Sequence, residues 1–369
     1  MKRLGPLRAA VLGIAAFTLA WGGTPVRAQK RYAEPEKGVT EVFPFISYDT
    51  DAGFGVGVKA FALNHLGAME SFDGTLFWST KGERWVRGVF SLRDFELRQG
   101  TVYPWAVDVV ADYDKWISTK FFGVGNESSY DSLETYTREP LELSVTLSRG
   151  FLEDLVGSLA IRYRNILNSD LEPGGLLATL PPALNQSKAT SLGIMASLRF
   201  DTRDSYIHPT SGMVLTVEAE GGPESFAANV AYGRGLVMMN VFQLIRPLAT
   251  ILAARVMLEG VAGSEIPVQM LARVGGTKTL RGYVQDRYLD RVSGIVNVEL
   301  RFPILWRFGG IVGIDAGKVW PDPGSMDLTE IPTSPVIGLR FYMDTFVVRG
   351  DVGFGKETTG IYLNFGHLF

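Results

Sequence analysis

The last segment of this chain, residues 360–369, alternates apolar side chains with polar or small ones. Successive side chains of a β-strand point to opposite faces, so the pattern predicts a strand with one apolar face and one mostly polar or small face. A strand with these two faces suits a position between lipid and water, as in a transmembrane β-barrel. The apolar face would contain Ile361, Leu363, Phe365 and Phe369.

Segments of this kind recur along most of the chain. A tilted membrane strand needs about 9 to 11 residues, and about sixteen segments have that length and an alternating pattern. They begin near Glu41, Gly53, Ser71, Trp85, Tyr103, Pro140, Gly157, Thr190, Gly212, Val230, Ala249, Val292, Arg307, Pro335, Phe346 and Gly360. We therefore predict an all-β protein, a transmembrane antiparallel β-barrel of about 16 strands.

The faces that are predicted to point inward carry charged side chains in strand after strand. In the segment that begins near Val292, Glu299 and Arg301 alternate with apolar Val298 and Leu300. A single strand of this kind could belong to a soluble β-sandwich. Its repetition favours a barrel with a water-filled lumen, since a dry core would not accommodate so many charges.

The N-terminal region has the order of features of an export signal. Lys2, Arg3 and Arg8 precede an apolar run over residues 9–20, and residues 26–28 provide small side chains at the spacing that a signal peptidase requires. The apolar run is too short to cross a bilayer as a helix, so we expect cleavage rather than retention as a membrane anchor. The predicted organisation is a signal peptide at 1–28, a short periplasmic segment at 29–40 and an outer-membrane barrel at 41–369.

Composition argues against several other functions. The chain contains no cysteine, which excludes thiol chemistry, and its formal charge of -3 gives no basic surface for nucleic acid. Its histidines, His65, His208 and His367, fall in a turn, in a turn before proline and on the predicted lipid face. Catalysis by histidine needs a nucleophile or an acid beside it, so this scatter predicts no enzyme activity. We also expect no cofactor and no bound metal.

Connection lengths predict which end of the barrel faces the cell exterior. Barrels of this class have long outer loops and short periplasmic turns. The long connections each follow an odd-numbered predicted strand, which would put both chain ends in the periplasm. They lie at residues 116–138, 169–189, 263–291 and 321–334.

The longest of these connections contains the segment Leu280-Arg281-Gly282-Tyr283, and two acidic residues, Glu299 and Asp315, follow on the next two predicted strands. In this pattern the chain resembles the BamA/TamA-type outer-membrane assembly and transport barrels, also called bacterial surface antigens. Residues 200–204 and 122–126 are similar to two further segments of that family. The resemblance covers most of the chain after the predicted signal peptide.

The resemblance implies a long extracellular loop that folds back into the lumen, with Arg281 at its tip against Glu299 and Asp315. The side chains suit this arrangement, because a guanidinium can bind a carboxylate through two nitrogens and the alternation already directs Glu299 inward. Without the resemblance, a solvent-exposed Arg281 beside an ordinary turn glycine would be the simpler interpretation.

Before the barrel the chain departs from the family pattern. Relatives in this family usually carry periplasmic POTRA modules that capture client proteins, whereas residues 29–40 are too few for a domain. No patatin-like enzyme domain is expected there either. We therefore expect a barrel without POTRA modules, whose capture of clients would depend on a separate periplasmic partner.

The function that the resemblance implies is insertion or translocation of proteins or lipids at the outer membrane. Its partners would be outer-membrane lipid and client outer-membrane or secreted proteins. The route would be the lumen and a lateral seam between the first and last strands, where an exposed strand edge can template an incoming strand. The predicted seam residues are Phe43, Phe45, Phe365, Gly366 and Phe369.

Two other functions remain open at this stage. A passive porin-like channel, gated by the inserted loop, would use inward-facing charges to set ion selectivity. Those charges would be Arg87, Arg93, Asp108, Asp112, Arg340 and Asp351. A barrel that only anchors a partner is the third interpretation.

Overall fold

A computed structural model describes residues 38–343 and 346–369. The predicted signal peptide and residues 29–37 therefore lie outside the described residues. Within the described part of the chain, no helix is long and apolar enough to cross a bilayer. Almost all of the regular structure is β-strand. The described residues also contain one short α-helix, α1, at Leu176–Thr179 and four single-turn 3₁₀ helices, at Tyr130–Ser132, Arg246–Leu248, Val268–Met270 and Pro323–Ser325.

Sixteen strands form one closed antiparallel barrel. They are β1 Val39–Asp49, β2 Gly53–Leu63, β3 Ser71–Ser79, β4 Arg84–Leu92, β5 Tyr103–Phe121, β6 Glu134–Leu152, β7 Leu155–Ser169, β8 Lys188–Asp201, β9 Gly212–Gly222, β10 Tyr232–Ile245, β11 Thr250–Ala262, β14 Val292–Leu305, β15 Phe308–Trp320, β16 Thr333–Tyr342, β17 Val347–Phe354 and β18 Thr359–Phe365. Two further strands, β12 Ala272–Val274 and β13 Tyr288–Asp290, pair with each other inside one connection. The predicted all-β barrel of about sixteen strands is confirmed.

The alternation in the sequence separates the two surfaces of the barrel wall. In β14, Glu299 and Arg301 point into the barrel and are 0% and 1% exposed, whereas Val296 and Leu300 are 41% and 38% exposed on the outside. A shift of the strand by one residue would turn these charges toward lipid and the apolar side chains toward the lumen. The period-two pattern therefore specifies the register of each strand in the wall.

Connection length distinguishes the two ends of the barrel, which we call the loop end and the turn end. The long connections at the loop end lie at residues 122–133, 170–187, 263–291 and 321–332. We call residues 263–291 loop L6. The first connection is shorter than the predicted range because β5 and β6 continue beyond the neighbouring strands and pair as far as Phe121 and Glu134.

Packed side chains occupy part of the lumen at the loop end. Loop L6, α1 and the extended ends of neighbouring strands contribute apolar residues to one buried cluster, which includes Phe121, Tyr136, Leu177, Val268, Leu271 and Leu289. Beside this cluster runs a cavity of about 2360 Å³, which is lined by His208 and Met343 at the turn end and by Asp51 and Lys120 toward the loop end. Loop L6 and the cluster therefore occupy part of the lumen, and the cavity occupies the rest.

After β18 the chain leaves the wall. The strand ends at Phe365, and Gly366 adopts a φ of +79°, in the left-handed region that favours glycine. Residues 366–369, which we call the tail, then turn into the lumen, where the Phe369 ring lies over the guanidinium of Arg301. The prediction that His367 and Phe369 face lipid is therefore wrong, because one glycine redirects the chain without changing the alternation.

Candidate functional site

Loop L6 leaves β11, enters the lumen and returns to β14. The β12–β13 hairpin forms its base, and Leu280-Arg281-Gly282-Tyr283 forms its tip. Gly282 has a φ of +90°, and a Cβ atom at this position would lie 2.6 Å from the amide nitrogen of Gly355. Only glycine therefore allows the tip to lie this close to the connection between β17 and β18.

The guanidinium of Arg281 lies between three carboxylates of the barrel wall. Its Nε and Nη2 donate to the two oxygens of Asp315 at 2.8 and 2.9 Å. Its Nη1 donates to Glu299 Oε1 at 2.8 Å and to Asp351 Oδ2 at 2.9 Å. Arg281, Glu299 and Asp315 are 0% exposed and Asp351 is 1% exposed. The structure thus brings together Arg281 and the two acidic residues singled out from the sequence, and it adds a third.

The third carboxylate, Asp351, illustrates what the sequence pattern leaves out. The alternation of β17 identifies Asp351 as inward-facing and so assigns it only to the lining of a pore. In the structure it accepts hydrogen bonds from Arg281 and, at 2.5 Å, from Arg340. Its pairing depends on how close loop L6 comes to β17, and no local pattern records that distance.

Arginines surround the buried carboxylates at the loop tip. Arg301 Nε donates to Glu299 at 2.8 Å, Arg340 pairs with Asp351, and Arg349 Nη1 lies 3.5 Å from Asp351 Oδ2, so with Arg281 four guanidinium groups accompany the three carboxylates. Burial alone would lower the pKa of Arg281, but its ion pairs with the carboxylates raise it well above its ordinary value. Removal of one partner from a buried ion pair costs about 3–5 kcal/mol, because the other charge is left uncompensated. The network therefore favours one position of the loop tip.

Apolar and main-chain contacts add to this anchorage. Leu280 and Tyr283 are buried in one cluster with Ile295 of β14. The N–H of Gly282 donates to the hydroxyl of Tyr362 in β18 at 3.1 Å. The tip of loop L6 therefore contacts the last barrel strand as well as the strands that carry its carboxylates.

A second set of contacts holds the base of loop L6, and sequence reasoning missed it. Arg287 donates from Nε and Nη2 to the two oxygens of Glu357 at 2.6 and 2.7 Å. The main-chain N–H of Gln285 donates to Asp51 at 2.7 Å. Glu357 lies between β17 and β18, and Asp51 lies between β1 and β2. Loop L6 is thus bonded to connections on both sides of the boundary between β1 and β18.

That boundary has the shortest strand pairing in the barrel. β1 and β18 form two residue pairs, Tyr48 with Leu363 and Asp49 with Tyr362, whereas β17 and β18 form seven. Within the described residues, positions 39–47 of β1 have no partner on β18. Their free N–H and C=O groups form a strand edge of the kind that can pair with another strand.

The residues predicted to line the seam lie in different environments. Phe45 and Phe365 contact each other edge to face, with ring centroids 5.6 Å apart. Phe43 lines the cavity, and Gly366 and Phe369 belong to the tail. Between β1 and β18, an aromatic contact therefore replaces main-chain hydrogen bonds toward the turn end.

Inward-facing charges predicted for a channel are mostly paired within the wall. Arg87 contacts Asp112 at 2.8 Å, and Asp108 contacts Arg98 at 2.5 Å. Arg93 lies in the turn after β4, with a φ of +63°. Since most of these cations have a carboxylate partner, the lumen has less uncompensated charge than the sequence pattern suggests.

Comparison with protein families finds a match to the Omp85 superfamily domain over residues 87–369. No curated protein matches the sequence significantly. The match includes most of the barrel wall, the whole of loop L6 and the tail.

Solved structures with a similar fold include BamA from Haemophilus ducreyi lacking POTRA domains 1–3, with a TM-score of 0.64 and 13% identity over 89% of this chain and 70% of that chain. CdiB from Acinetobacter baumannii matches with a TM-score of 0.54 and 14% identity, over 89% of this chain and 60% of that one. CdiB from Escherichia coli matches with a TM-score of 0.60 and 13% identity, over 87% and 62%. This chain therefore spans less than two thirds of the length of either CdiB chain, and these likenesses concern the fold.

Proposed function

This chain belongs to the Omp85 superfamily, and on that premise we propose that it aids the insertion or translocation of proteins or lipids at the bacterial outer membrane. The resemblance to BamA/TamA-type barrels seen in the sequence is confirmed by this membership. The superfamily and the barrel fold both point to the outer membrane of bacteria as the site of action. The route that we propose is the lateral seam together with the lumen.

The observation that carries the proposal is the short pairing of β1 with β18. Two residue pairs close this boundary near the loop end, and residues 39–47 of β1 offer a free strand edge toward the turn end. An incoming strand can form main-chain hydrogen bonds with such an edge, in the mode known as β-augmentation. Opening the boundary at the turn end breaks no strand pair among the described residues, because the two pairs lie near the loop end.

In this proposal loop L6 holds the wall in shape while the seam opens. Arg281 connects the loop tip to β14, β15 and β17. Arg287 and Gln285 connect the base of the loop to Glu357 and Asp51 on either side of the seam. These contacts hold the seam at the loop end and do not involve the free edge of β1, so the seam can widen at the turn end while the rest of the barrel keeps its register.

A passive channel receives less support from the same geometry. The buried cluster occupies part of the lumen at the loop end, and the inward-facing charges are mostly paired. An open diffusion pore needs a continuous water-filled path, which would require loop L6 to move out of the lumen.

Partners follow from the same proposal. Clients would be outer-membrane or secreted polypeptides that reach the turn end of the barrel, where the cavity opens. A separate periplasmic protein would deliver them, in the role that POTRA modules have in other family members. Outer-membrane lipid would contact the apolar outer wall.

The test closes the seam with a disulfide. The natural chain has no cysteine, so Phe45→Cys with Phe365→Cys introduces a single pair at two rings that are in contact. The purified protein in lipid vesicles is oxidised or reduced and then supplied with a small unfolded outer-membrane barrel protein. We expect the oxidised form to lose most of its insertion rate, measured by protease resistance of the client, and reduction to restore it.

A matched control distinguishes seam closure from cross-linking in general. Leu339→Cys with Gly350→Cys joins register partners of β16 and β17, which form seven residue pairs and have no need to separate. Oxidation of this variant should leave insertion unchanged. Full insertion activity of the oxidised Phe45/Phe365 variant would contradict the proposal. An ion conductance that is unchanged by either cross-link, in a protein without insertion activity, would favour the channel.

A further inference from the structure

One arginine of the charged network lies on the wall of the lumenal cavity. Arg349 of β17 is 5% exposed and lines the cavity beside loop L6. Asp351 lies 3.5 Å from its Nη1, but this carboxylate already accepts from Arg281 at 2.9 Å and from Arg340 at 2.5 Å. Arg349 is therefore a buried cation without a carboxylate of its own.

The other contacts of Arg349 are long. A guanidinium has five N–H donors. Its Nη2 lies 3.2 Å from the hydroxyl of Thr277 and 3.5 Å from the main-chain oxygen of the same residue. Its Nε has no hydrogen-bond partner within the described part of the chain. A buried charge with such weak contacts is unfavourable, and an anion in the cavity would reduce that cost.

Two further polar side chains lie beside Arg349. Lys278 follows Thr277 in loop L6, and its exposed side chain lines the cavity and forms no ion pair with any described residue. Asn364, the register partner of Arg349 on β18, donates from Nδ2 to the hydroxyl of Thr277 at 3.2 Å. Loop L6, β17 and β18 thus contribute two cations and an amide, which suit an anionic ligand.

Carboxylates line the cavity on other strands. They are Asp49 of β1, Glu83 just before β4 and Asp114 of β5. Over residues 38–343 and 346–369, none of the three forms an ion pair with Arg349 or Lys278. They would repel an anion from the remainder of the lumen, so the favourable position for an anion is confined to the side of β17 and β18.

An aromatic surface lies next to these cations. The rings of Phe45 and Phe77 are nearly parallel, with 3° between their planes and 6.0 Å between centroids. Gly57 lies beneath Phe45, and a Cβ atom there would be 2.3 Å from the ring, so the ring lies flat against the wall. Phe365, one residue after Asn364, contacts Phe45 edge to face. We call Phe45, Phe77 and Phe365 the aromatic shelf; all three line the cavity.

The aromatic shelf also borders the outer surface of the barrel. Positions 39–47 of β1 have no described partner on β18, and Phe365, which is 42% exposed, lies at this boundary. On the outer face of the same β1 segment, Val42 and Ile46 are 63% and 52% exposed. An apolar chain can therefore pass from the shelf to the bilayer between side chains, without breaking a strand pair.

From these features we propose that the cavity binds an anionic phospholipid at the seam. Its phosphate group binds Arg349, Lys278 and Asn364, and one acyl chain lies against the aromatic shelf and reaches the bilayer between β1 and β18. The shelf consists of hydrocarbon rings, so it suits an acyl chain better than a polypeptide main chain, which needs hydrogen-bond partners. That this lipid is cargo of the barrel rests on the proposed function, whereas its binding does not.

Lipid binding to the purified, delipidated barrel in detergent tests the proposal. Native mass spectrometry measures the fraction of barrels that retain one lipid as dimyristoyl phosphatidylglycerol is added. Dimyristoyl phosphatidylcholine is the matched lipid, with the same chains and no net charge, and inorganic phosphate is the matched anion. We expect saturable binding of phosphatidylglycerol, weaker binding of phosphatidylcholine and no displacement by equimolar inorganic phosphate.

Arg349→Gln should give the largest change in lipid affinity. Asp351 keeps its bonds from Arg281 and Arg340 in this variant, so the barrel should remain folded. The Kd for phosphatidylglycerol should rise about 10- to 100-fold, because a charge-assisted hydrogen bond to the phosphate is lost. Lys278→Gln changes an exposed side chain and should raise the Kd about 2- to 5-fold.

Arg87→Gln is the matched control for these two variants. It makes the same change of charge in the same cavity, at an arginine that is already paired with Asp112. We expect an unchanged Kd. The heat-dependent mobility of each variant on SDS gels verifies that the barrel is folded.

Phe45→Ala tests the aromatic shelf. It removes the central ring and should raise the Kd about 3- to 10-fold, because less apolar surface covers the acyl chain. Phe72→Ala is its control, since Phe72 lies on the outer face of β3 and is 49% exposed. Loss of that ring affects only lipid that coats the barrel and should leave the Kd unchanged.

Three results would overturn the proposal. Equal retention of both lipids, unaffected by Arg349→Gln, Lys278→Gln and Phe45→Ala, would mean that lipid only coats the barrel. Displacement by inorganic phosphate, with no effect of Phe45→Ala, would assign the site to a small anion. Tighter binding of a peptide that ends in phenylalanine, lost in Arg349→Gln, would assign it to a polypeptide.

These measurements contain no client and do not depend on insertion activity. Saturable lipid binding in a barrel that fails to insert polypeptides would leave the lipid site intact and contradict only the proposed function. Absence of lipid binding in a barrel whose insertion is blocked by the Phe45/Phe365 cross-link would contradict the lipid site alone.

Discussion

The wall opposite the seam and the wall beside it are held together in different ways. β6 and β7 form fifteen residue pairs, whereas β1 and β18 form two. The charged side chains of the far wall pair with nearby strands, as Arg164 does with Glu220. Those beside the seam pair with loop L6, through Arg281. The far wall is thus self-contained, while the seam side depends on a loop that comes from another part of the barrel.

This difference has a mechanical consequence. A ladder of many strand hydrogen bonds opens only as a unit, whereas a boundary of two pairs can open locally at small cost. Loop L6 keeps β14, β15 and β17 in place without adding hydrogen bonds between β1 and β18. The barrel therefore combines a fixed wall with a weak boundary.

Arg281→Ala should give the largest effect and would test the dependence on the loop. It leaves three buried carboxylates without their shared guanidinium, and loss of one partner from a buried ion pair costs about 3–5 kcal/mol. We expect a lower temperature at which the folded barrel loses its compact mobility on SDS gels. Arg281→Lys keeps the positive charge but cannot donate to both oxygens of Asp315 as the guanidinium does, so the loss of heat resistance should be intermediate. Wild-type heat resistance of Arg281→Ala would show that the seam side does not need the loop anchor.

Glu220→Gln makes the corresponding change in the far wall and should have a smaller effect. Glu220 accepts from Arg162 and Arg164, but Arg164 keeps a second carboxylate, Glu142, at 2.9 Å. The free energy of unfolding should fall by about 1–3 kcal/mol, with loop L6 undisturbed. Unfolding in urea measures the free energy of unfolding, and amide exchange in loop L6 shows whether the loop is disturbed. If Glu220→Gln destabilised the barrel more than Arg281→Ala does, the far wall and not the seam side would be the more dependent on one charged residue.

Arg87→Ala should have the smallest effect. Its ion pair with Asp112 is partly solvated, the arginine side chain being 41% exposed, and such pairs contribute about 0.2–1 kcal/mol. We expect unchanged heat resistance, unchanged client insertion and unchanged ion selectivity in planar bilayers. A clear change in selectivity would sharpen the case for a channel, since it would mean that ions pass this residue.

The sequence predicts the barrel wall well because the signal is local. Lipid outside and water inside impose the same alternation on every strand, so the pattern of side chains is sufficient to place the sixteen segments. Glu299 and Asp315 face inward for the same reason. Their pairing with Arg281 came from the resemblance to a family, because no spacing in the chain relates loop L6 to the wall behind it.

What the sequence does not predict depends on distances between remote segments. In the sequence, Arg287 and Glu357 are residues of two separate loops, and no pattern predicts that they form an ion pair. Asp351 faces inward by alternation, but its contact with Arg281 requires the path of loop L6 to be known. The tail shows the opposite error, since its alternation predicts a lipid-facing strand and the φ of Gly366 turns it into the lumen.

Amide hydrogen exchange along the two walls tests the central claim most directly. The measurement compares residues 39–47 of β1 with residues 141–149 of β6 in the purified barrel. A weak seam beside a self-contained far wall predicts rapid exchange in the β1 segment and lasting protection in the β6 segment, because only the latter has strand partners on both sides. Equal, slow exchange in both segments would mean that β1 is fully paired, and it would contradict the account.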